Sequence, residues 1–152
     1  MRRKILTLCL VHDHDRVLLG MKKRGFGVGR WNGFGGKVHP GESVRDAARR
    51  ELREEAGIEA EDLAPRAVLE FEFKDNPEIL EVYLFSVTAF RGAPAESEEM
   101  RPQWFAKTEI PFDAMWADDR HWFPLFLAGK NFNARFLFDG MDDILDAQIE
   151  EV

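Results

Sequence analysis

Apolar and polar residues alternate over several short stretches of the chain, a period of two that is typical of β-strands. In "LEFEF" the residues Leu69, Phe71 and Phe73 fall on one face, and Glu70 and Glu72 fall on the other. The same pattern predicts strands, in chain order, at Lys4–Val11, Val17–Lys22, Val68–Phe73, Ile79–Arg91, Gln103–Ala106, Phe132–Phe138 and Ile144–Glu150. The Asp-Gly pair in "FDGM", residues 138–141, predicts a turn between the last two strands.

Two segments have the pattern of helices instead, Ser43–Ala56 and Asp118–Ala128. Ser43 is a good N-cap for the first helix, and Gly57 stands where a left-handed residue would end it. The glycine-rich segment "RGFGVGRWNGFGGK", which precedes that helix, is predicted to be a loop. Strands and two helices in this order predict an α+β fold with a mixed sheet.

The first predicted helix carries charges of both signs, and the helical period separates them. At roughly 100° per residue, with Glu51 at zero, Glu55 lies near about +40° and Glu54 near about −60°. The small apolar residues Ala47 and Ala48 share this side, whereas the arginines of the helix lie opposite: Arg45, Arg49 and Arg53. A run of charges on a helix is usually a solvated face, but this arrangement places carboxylates inward.

Three inward carboxylates would repel one another and lose hydration unless cations neutralised them. Hard oxygen ligands suit Mg²⁺ or Mn²⁺. Arg50, four residues before Glu54, can pair with that carboxylate. The pattern therefore indicates a divalent metal site.

Composition narrows the possible functions. With 152 residues, 45% of them hydrophobic, we expect one domain, residues 1–152. The formal net charge of −7 argues against a long nucleic acid as partner, although not against a nucleotide that arrives with a metal ion. Cys9 is the only cysteine, which favours a reducing compartment, and we expect a cytoplasmic protein. The apolar run near the start is too short for a membrane span and lacks a cleavage site, so we interpret it as the first strand.

The spacing of charged and glycine residues from Gly36 to Ile58 resembles the Nudix box, G-x5-E-x7-R-E-U-x-E-E-x-G-U with U aliphatic. All nine specified positions match over 23 residues, which makes the signal highly specific. The resemblance implies a Nudix α/β/α sandwich, in which a loop–helix–loop binds divalent metal at the phosphates of a nucleoside diphosphate. It also implies that Glu51, Glu54, Glu55 and the Gly36 carbonyl hold the metal, and that Glu42 and Arg50 brace the loop against the helix.

A second segment, "MWADDRHWF" at 115–123, places two tryptophans around a pair of acids. Trp116 and Trp122 offer surfaces on which a base can stack. Asp118 and Asp119 could share a proton, so that one donates and the other accepts along a purine edge. The alternative is a helix start, with Asp118 as N-cap, Asp119 favoured by the helix dipole, and the tryptophans in the core.

Segments outside the box extend the resemblance to the MutT-like branch of the family, the animal 8-oxo-dGTP diphosphatases. They are "VLLGMKKRGFGVGRWNGFGGKV", "SEEMRP" and "MWADDRHWFP". The resemblance implies a base pocket formed by Thr7, Lys22, Phe26, Asn32, Phe71, Phe73, Trp116, Asp118, Asp119 and Trp122. Leu80 stands where this branch is expected to have methionine. Phe34 is assigned to the substrate site, Gly35, Gly36 and Lys37 to the substrate's phosphates, and Glu99 to the metal centre as a further carboxylate.

Each of these residues also has a simpler interpretation. Phe26, Phe71 and Phe73 could be core residues, and Glu99 could be a surface acid. Lys22 could protect an edge strand, and Asn32 could be a turn residue.

The expected function is Mg²⁺-dependent hydrolysis of oxidised purine nucleoside triphosphates, such as 8-oxo-dGTP and 2-hydroxy-dATP, to the monophosphate and pyrophosphate. The protein would act on free nucleotides as a monomer, with Mn²⁺ as an alternative metal. Two rivals stay open. One is hydrolysis of another nucleoside diphosphate compound, ADP-ribose or a cap-like end, and the other is a Nudix module that binds nucleotides without cleaving them.

Overall fold

A mixed nine-stranded sheet forms the centre of the molecule in the computed structural model, which describes residues 2–152. The strands are β1 (Arg2–His12), β2 (Arg16–Lys22), β3 (Trp31–Asn32), β4 (Phe34–Lys37), β5 (Glu59–Ala60), β6 (Ala64–Phe73), β7 (Glu78–Val87), β8 (Phe90–Arg91), β9 (Met100–Ala106), β10 (Phe132–Asp139) and β11 (Asp143–Glu151). The helices are α1 (Val44–Ala56), a 3₁₀ turn (Phe112–Ala114) and α2 (Asp119–Leu127). The order across the sheet is β11-β10-β6-β7-β1-β2-β3, with β4 on β1 and β9 on β2, and the remaining two strands, β5 and β8, pair separately as a two-stranded sheet.

The two faces of the sheet carry separate cores, because successive residues of a strand point to opposite faces. On β1, Leu10 packs with α2 residues such as Phe123, whereas Cys9 and Val11 pack with α1 residues such as Leu52. Strands β1 and β7 are parallel, as are β6 and β10, and the other pairs are antiparallel. The predicted α/β/α sandwich with a mixed sheet is confirmed.

Local signals at the ends of α1 are also confirmed. The Ser43 side chain accepts a hydrogen bond from the Asp46 amide, and Gly57 ends the helix in the left-handed region with φ of 71°. The turn predicted at "FDGM" lies between β10 and β11, where Gly140 has a φ of 72°.

The strand predicted at Ile79–Arg91 is wrong in one respect, because the structure divides it into β7 and β8. Asp62 accepts hydrogen bonds from the amides of Thr88 and Ala89, at 2.8 and 3.0 Å. Those two amides are thus lost to the strand ladder, and the chain bends.

The glycine-rich segment is not only a loop, since β3 and β4 lie within it. Strand β4 pairs with β1 at Thr7 and Gly36 and at Leu8 and Gly35. A Cβ atom at Gly35 would lie 1.8 Å from the Thr7 carbonyl oxygen, so glycine is required for this close approach. The pairing brings the glycine-rich backbone next to the last turns of α1, at Glu51 and Glu55.

No helix within residues 2–152 has both the length and the apolar character that a bilayer crossing requires.

Candidate active site

Helix α1 presents its glutamates at three different depths. Glu55 is buried, with 5% of its surface exposed, and its carboxylate accepts a hydrogen bond of 2.8 Å from the Gly35 amide. Glu51 is half-buried against the Gly36 backbone, where a Cβ atom would lie 2.8 Å from the carboxylate. The side chain of Glu54 is 57% exposed. The prediction that all three face inward is therefore wrong for Glu54, because the buried face follows Ala48, Leu52 and Glu55, and Glu54 points away from it.

Arg50 links the loop to the helix. Its guanidinium bonds both carboxylate oxygens of Glu42, at 2.7 and 3.1 Å, and the carbonyl of Lys37 at 3.0 Å. It also reaches Glu51 at 2.9 Å and Glu54 at 3.2 Å. The Arg50 hydrogen bonds lower the pKa of Glu42 to about 2. Glu42 and Arg50 thus occupy the bracing position that the box implied.

The buried carboxylate of Glu55 is repelled by the negative charges of Glu51 and Glu99. Burial, together with the neighbouring Glu51 and Glu99 charges, raises the pKa of Glu55 to about 8 against the opposing effects of the Gly35 hydrogen bond and the Lys22 charge. Glu99 itself is bonded to Arg24 at 2.8 Å and lies 3.5 Å from Lys22. A divalent cation would relieve the repulsion on Glu55, so the donor set fits such an ion.

The predicted ligands are nevertheless not drawn into one cluster. Within residues 2–152, no three His, Cys, Asp or Glu side chains converge as a preformed metal site. Like charges repel, and the other carboxylates pair with cations instead, Glu51 and Glu54 with Arg50 and Glu99 with Arg24.

A cavity of about 990 Å³ opens beside Glu55 on the α2 side of the sheet. Its walls include all but one of the residues assigned to the substrate: Thr7, Lys22, Phe26, Asn32, Gly35, Gly36, Lys37, Phe71, Phe73, Leu80, Trp116, Asp118, Asp119 and Trp122. Phe34 is the exception. Its side chain is fully buried in the core beneath α1, opposite Cys9 in the strand pairing, because alternate residues of β4 face opposite ways.

Two acids lie at the inner wall of this cavity. Asp118 is 2% exposed and Asp119 is 8% exposed, and Asp118 accepts a 2.8 Å hydrogen bond from the Trp122 indole. Burial raises the pKa of Asp118 to about 6. Burial, and then the charge of Asp118, raise the pKa of Asp119 well above its ordinary value. Both raised pKa values favour a shared proton on the pair.

The helix-start interpretation of these acids is confirmed for their positions, since Asp118 stands at the N-cap of α2, Asp119 lies in its first turn and Trp122 is in the core. It is wrong for the capping role. Asp118 precedes α2, but its side chain makes no capping hydrogen bond. Its backbone is already helical, with φ of −70° and ψ of −27°, whereas an N-cap residue is normally extended.

The aromatic residues around the cavity differ in how far their rings are exposed. Phe26 is 66% exposed and lies with its ring centroid 5.0 Å from that of Trp116, so it is not a core residue. Phe71 and Phe73 are half-buried and stack on Phe136 and Phe138. Trp122 is only 1% exposed, and it supports Asp118 rather than offering a surface for stacking. Trp116 is the tryptophan left for that role.

Thr7 supplies a further polar group. It is 2% exposed, and its hydroxyl has no hydrogen-bond partner among residues 2–152. A buried hydroxyl without a partner is costly, and this one belongs to a residue that lines the cavity. A polar ligand there would satisfy it.

The box residues, the braced helix and the neighbouring cavity agree with a comparison against family models, in which the NUDIX domain matches residues 1–126. The chain belongs to the Nudix family.

Two curated relatives are similar along nearly the whole chain. The oxidized purine nucleoside triphosphate hydrolase of Mus musculus is 52% identical over 149 residues, which is 98% of this chain and 96% of that protein. The protein of the same name from Danio rerio is 53% identical over the same shares. Among solved structures, a MutT protein from Bacillus halodurans superposes with a TM-score of 0.86 at 27% identity, over 96% of this chain and 97% of that one.

The cavity of this Nudix protein also includes residues that the sequence did not single out. Lys4, Asn76, Met100 and Phe138 are among them. Sequence patterns also did not indicate Arg30, although its guanidinium lies over the Trp116 ring. Its partners lie far along the chain, the ion-pair partner Asp142 at a separation of 112 residues, so no local pattern could have indicated it.

Proposed function

We propose that this Nudix protein hydrolyses oxidised purine nucleoside triphosphates to the monophosphate and pyrophosphate. The observation that supports this most is the buried Asp118–Asp119 pair, whose carboxyl pKa values are raised by burial in an apolar cavity beside the box carboxylates. A protonated acid donates a hydrogen bond and an ionised acid accepts one. The pair can therefore match a purine edge whose donors and acceptors have been altered by oxidation.

The residues divide the work by position. Trp116 and Phe26 offer aromatic surface to the base, while Asn32, Asp118 and Asp119 offer polar groups to its edge. The Gly35 and Gly36 backbone and the Lys22 and Lys37 side chains would bind the phosphates, since all four line the cavity near Glu55.

The box carboxylates would hold divalent metal. We assign the Gly36 carbonyl, Glu51, Glu54, Glu55 and Glu99 as ligands, with Mg²⁺ as the expected ion and Mn²⁺ as an alternative. When bound, such an ion would offset phosphate charge and lower the pKa of a water molecule. The pKa of Glu55, about 8 without metal, would be lowered by a bound divalent ion, which favours the charged, metal-binding form of this carboxylate.

The net charge of the protein bears on which partners it can bind. We propose that residues 1–152 act as a single Nudix domain, as a cytoplasmic monomer, on free nucleotides. A net charge of −7 opposes binding to a nucleic acid polymer or an anionic membrane surface.

Turnover of a nucleotide panel tests the proposal. The panel contains 8-oxo-dGTP, 2-hydroxy-dATP, O6-methyl-dGTP, dGTP and ADP-ribose with Mg²⁺, and products are separated by anion-exchange chromatography. We expect oxidised purines to give monophosphate and pyrophosphate faster than dGTP does. Preferred cleavage of ADP-ribose, or a nucleoside diphosphate as first product, would contradict the proposal. Binding without turnover would identify a non-catalytic module.

A further inference from the structure

Arg30 joins three parts of the chain that are distant in sequence. Its guanidinium carbon lies 4.6 Å from the centroid of the Trp116 ring. One terminal nitrogen is 2.6 Å from the carboxylate of Asp142, in the loop between β10 and β11, and the other is 3.5 Å from the Met115 carbonyl. The glycine-rich segment, the segment before α2 and the β10–β11 loop thus meet at one side chain.

The backbone carbonyl of Arg30 orients a second residue of the cavity, Asn32. This carbonyl accepts hydrogen bonds from the Lys22 amide at 3.0 Å and from the Asn32 side-chain nitrogen at 3.2 Å. A carbonyl oxygen can only accept, so the Asn32 amide must turn its NH₂ group towards Arg30. Its oxygen is then left free to accept a hydrogen bond from a ligand.

The contact with Trp116 has a clear physical consequence. A planar guanidinium stacks on an indole face and is attracted to its π-electrons. Trp116 is half-buried, and its ring also contacts Phe26, with centroids 5.0 Å apart, and Phe138, with centroids 6.4 Å apart, so Arg30 adds a third contact that fixes the ring plane. The Arg30 side chain is itself 20% exposed, and the ion pair with Asp142, whose side chain is 75% exposed, restrains it. A side chain already ordered before binding loses less entropy when the ligand arrives.

We propose that Arg30 is a positioning residue for the purine, whose side chain fixes the ring of Trp116 in the orientation that meets the base, and that Asp142 anchors it. The contact of the Arg30 backbone carbonyl with Asn32 is kept in every side-chain variant. This inference rests on the proposed function, because it concerns how the same cavity recognises its base.

The chain contains a matched unit away from the cavity. The Arg16 guanidinium lies 4.1 Å from the centroid of Trp104 and forms an ion pair of 2.8 Å with Asp13. None of these three residues lines the cavity. Arg16→Gln therefore removes an arginine–tryptophan stack and an ion pair of the same chemistry without touching the substrate.

The test compares Arg30→Gln, Arg30→Lys, Asp142→Asn and Arg16→Gln with wild type. Steady-state kcat and KM are measured on the best oxidised purine triphosphate, and the Kd of its monophosphate is measured by calorimetry without added metal. We expect Arg30→Gln to raise KM and Kd about tenfold, with kcat within about twofold of wild type. Arg30→Lys keeps the charge but loses the planar stack, so it should recover only part of the affinity. Asp142→Asn should raise KM about threefold, and Arg16→Gln should leave it unchanged.

A KM for Arg30→Gln within about twofold of wild type would overturn the inference. An equal loss in Arg16→Gln would also overturn it, because the effect would then be general loss of stability. If Arg30→Gln does not fold, the KM of Asp142→Asn decides the inference, because this substitution alters only an exposed carboxylate. An unchanged KM in Asp142→Asn would then overturn it. A wild type that binds the monophosphate but cleaves no oxidised triphosphate would contradict the proposed reaction, and the Kd comparison would still decide the role of Arg30.

Discussion

At the scale of single residues, burial decides which carboxylates have raised pKa values. Asp118 and Asp119 are adjacent acids in a sequence with many acids, but their low exposure raises both pKa values. Glu55 is distinguished from Glu54 in the same way, although the two are neighbours on one helix. Residue type gives the possible roles, and the surroundings select one.

The first prediction concerns the acid pair. Asn at position 119 cannot gain or release a proton, so one of the two hydrogen-bond patterns is lost. An unsatisfied buried partner costs roughly 1–3 kcal/mol, and kcat/KM for 8-oxo-dGTP should fall about 5- to 150-fold in Asp119→Asn. Asp118→Asn should behave likewise. Because Asp118 makes no capping hydrogen bond, neither variant should lower the melting temperature near pH 6. Lost stability with normal kinetics would restore the capping role of Asp118.

The second prediction concerns Glu55. Glu55→Gln keeps the shape and can still accept the hydrogen bond from the Gly35 amide, but it removes the charge from the proposed metal site. We expect kcat to fall by roughly 10² or more while the protein stays folded. Chelation should abolish wild-type turnover and Mg²⁺ should restore it. Kinetics and circular dichroism on the same sample check both statements, and undiminished hydrolysis in the variant would refute the metal assignment.

At the scale of elements, the site depends on the close contact of β4 with β1 and on the bracing of α1. The strand pair places the Gly35 amide against Glu55, and Arg50 fixes the loop to the helix through Glu42. A short strand and a braced helix thus hold Glu55 beside the loop.

The third prediction compares two neighbouring glycines of β4. In Gly35→Ala the new methyl group would meet the Thr7 carbonyl oxygen of β1, which is backbone and cannot move without separating the strands. We expect a loss of about 3 kcal/mol or more in the free energy of unfolding. In Gly36→Ala the methyl group would meet only the end of the Glu51 side chain, which can rotate. This variant should keep most of its stability but lose about tenfold or more in kcat.

Urea unfolding and steady-state kinetics on both variants make this comparison. An active, fully stable Gly35→Ala protein would be incompatible with the strand contact described here.

At the scale of the whole molecule, raised carboxyl pKa values make stability depend on pH. A group whose pKa is higher in the folded than in the unfolded state holds its proton more tightly when folded. Its contribution is complete below the unfolded pKa and is lost as pH rises through the folded value. For Asp118 the folded pKa is about 6, for Glu55 it is about 8, and for Asp119 it is well above the ordinary value.

The fourth prediction follows from these raised pKa values, which make the folded state less stable as pH rises. With a chelator present, the melting temperature should fall as pH rises from about 5 to about 8.5. Glu55→Gln and Asp119→Asn should each show a smaller fall. Mg²⁺ should raise the wild-type melting temperature most at the alkaline end, because an ion that binds only the folded state stabilises it. Scanning fluorimetry across this range checks the trend, and stability that increases with pH would contradict it.

The sequence by itself determined the features that depend on short-range chemistry. Ser43 and Gly57 mark the ends of α1 because capping needs a nearby side-chain oxygen and a left-handed residue. The nine box positions lie within 23 residues, so their spacing alone places them on one loop and one helix. The Asp-Gly turn and most strands follow from the same local patterns.

Only the tertiary structure decided the features that depend on distant contacts. Asp62 ends β7 by taking the amides of Thr88 and Ala89, and β1 turns glycine-rich backbone into β4. The depth of Glu55, and the placement of Arg30 between Trp116 and Asp142, arise where segments far apart in the chain meet. Burial and long-range pairing set pKa values and side-chain orientations, and no window of sequence contains both partners.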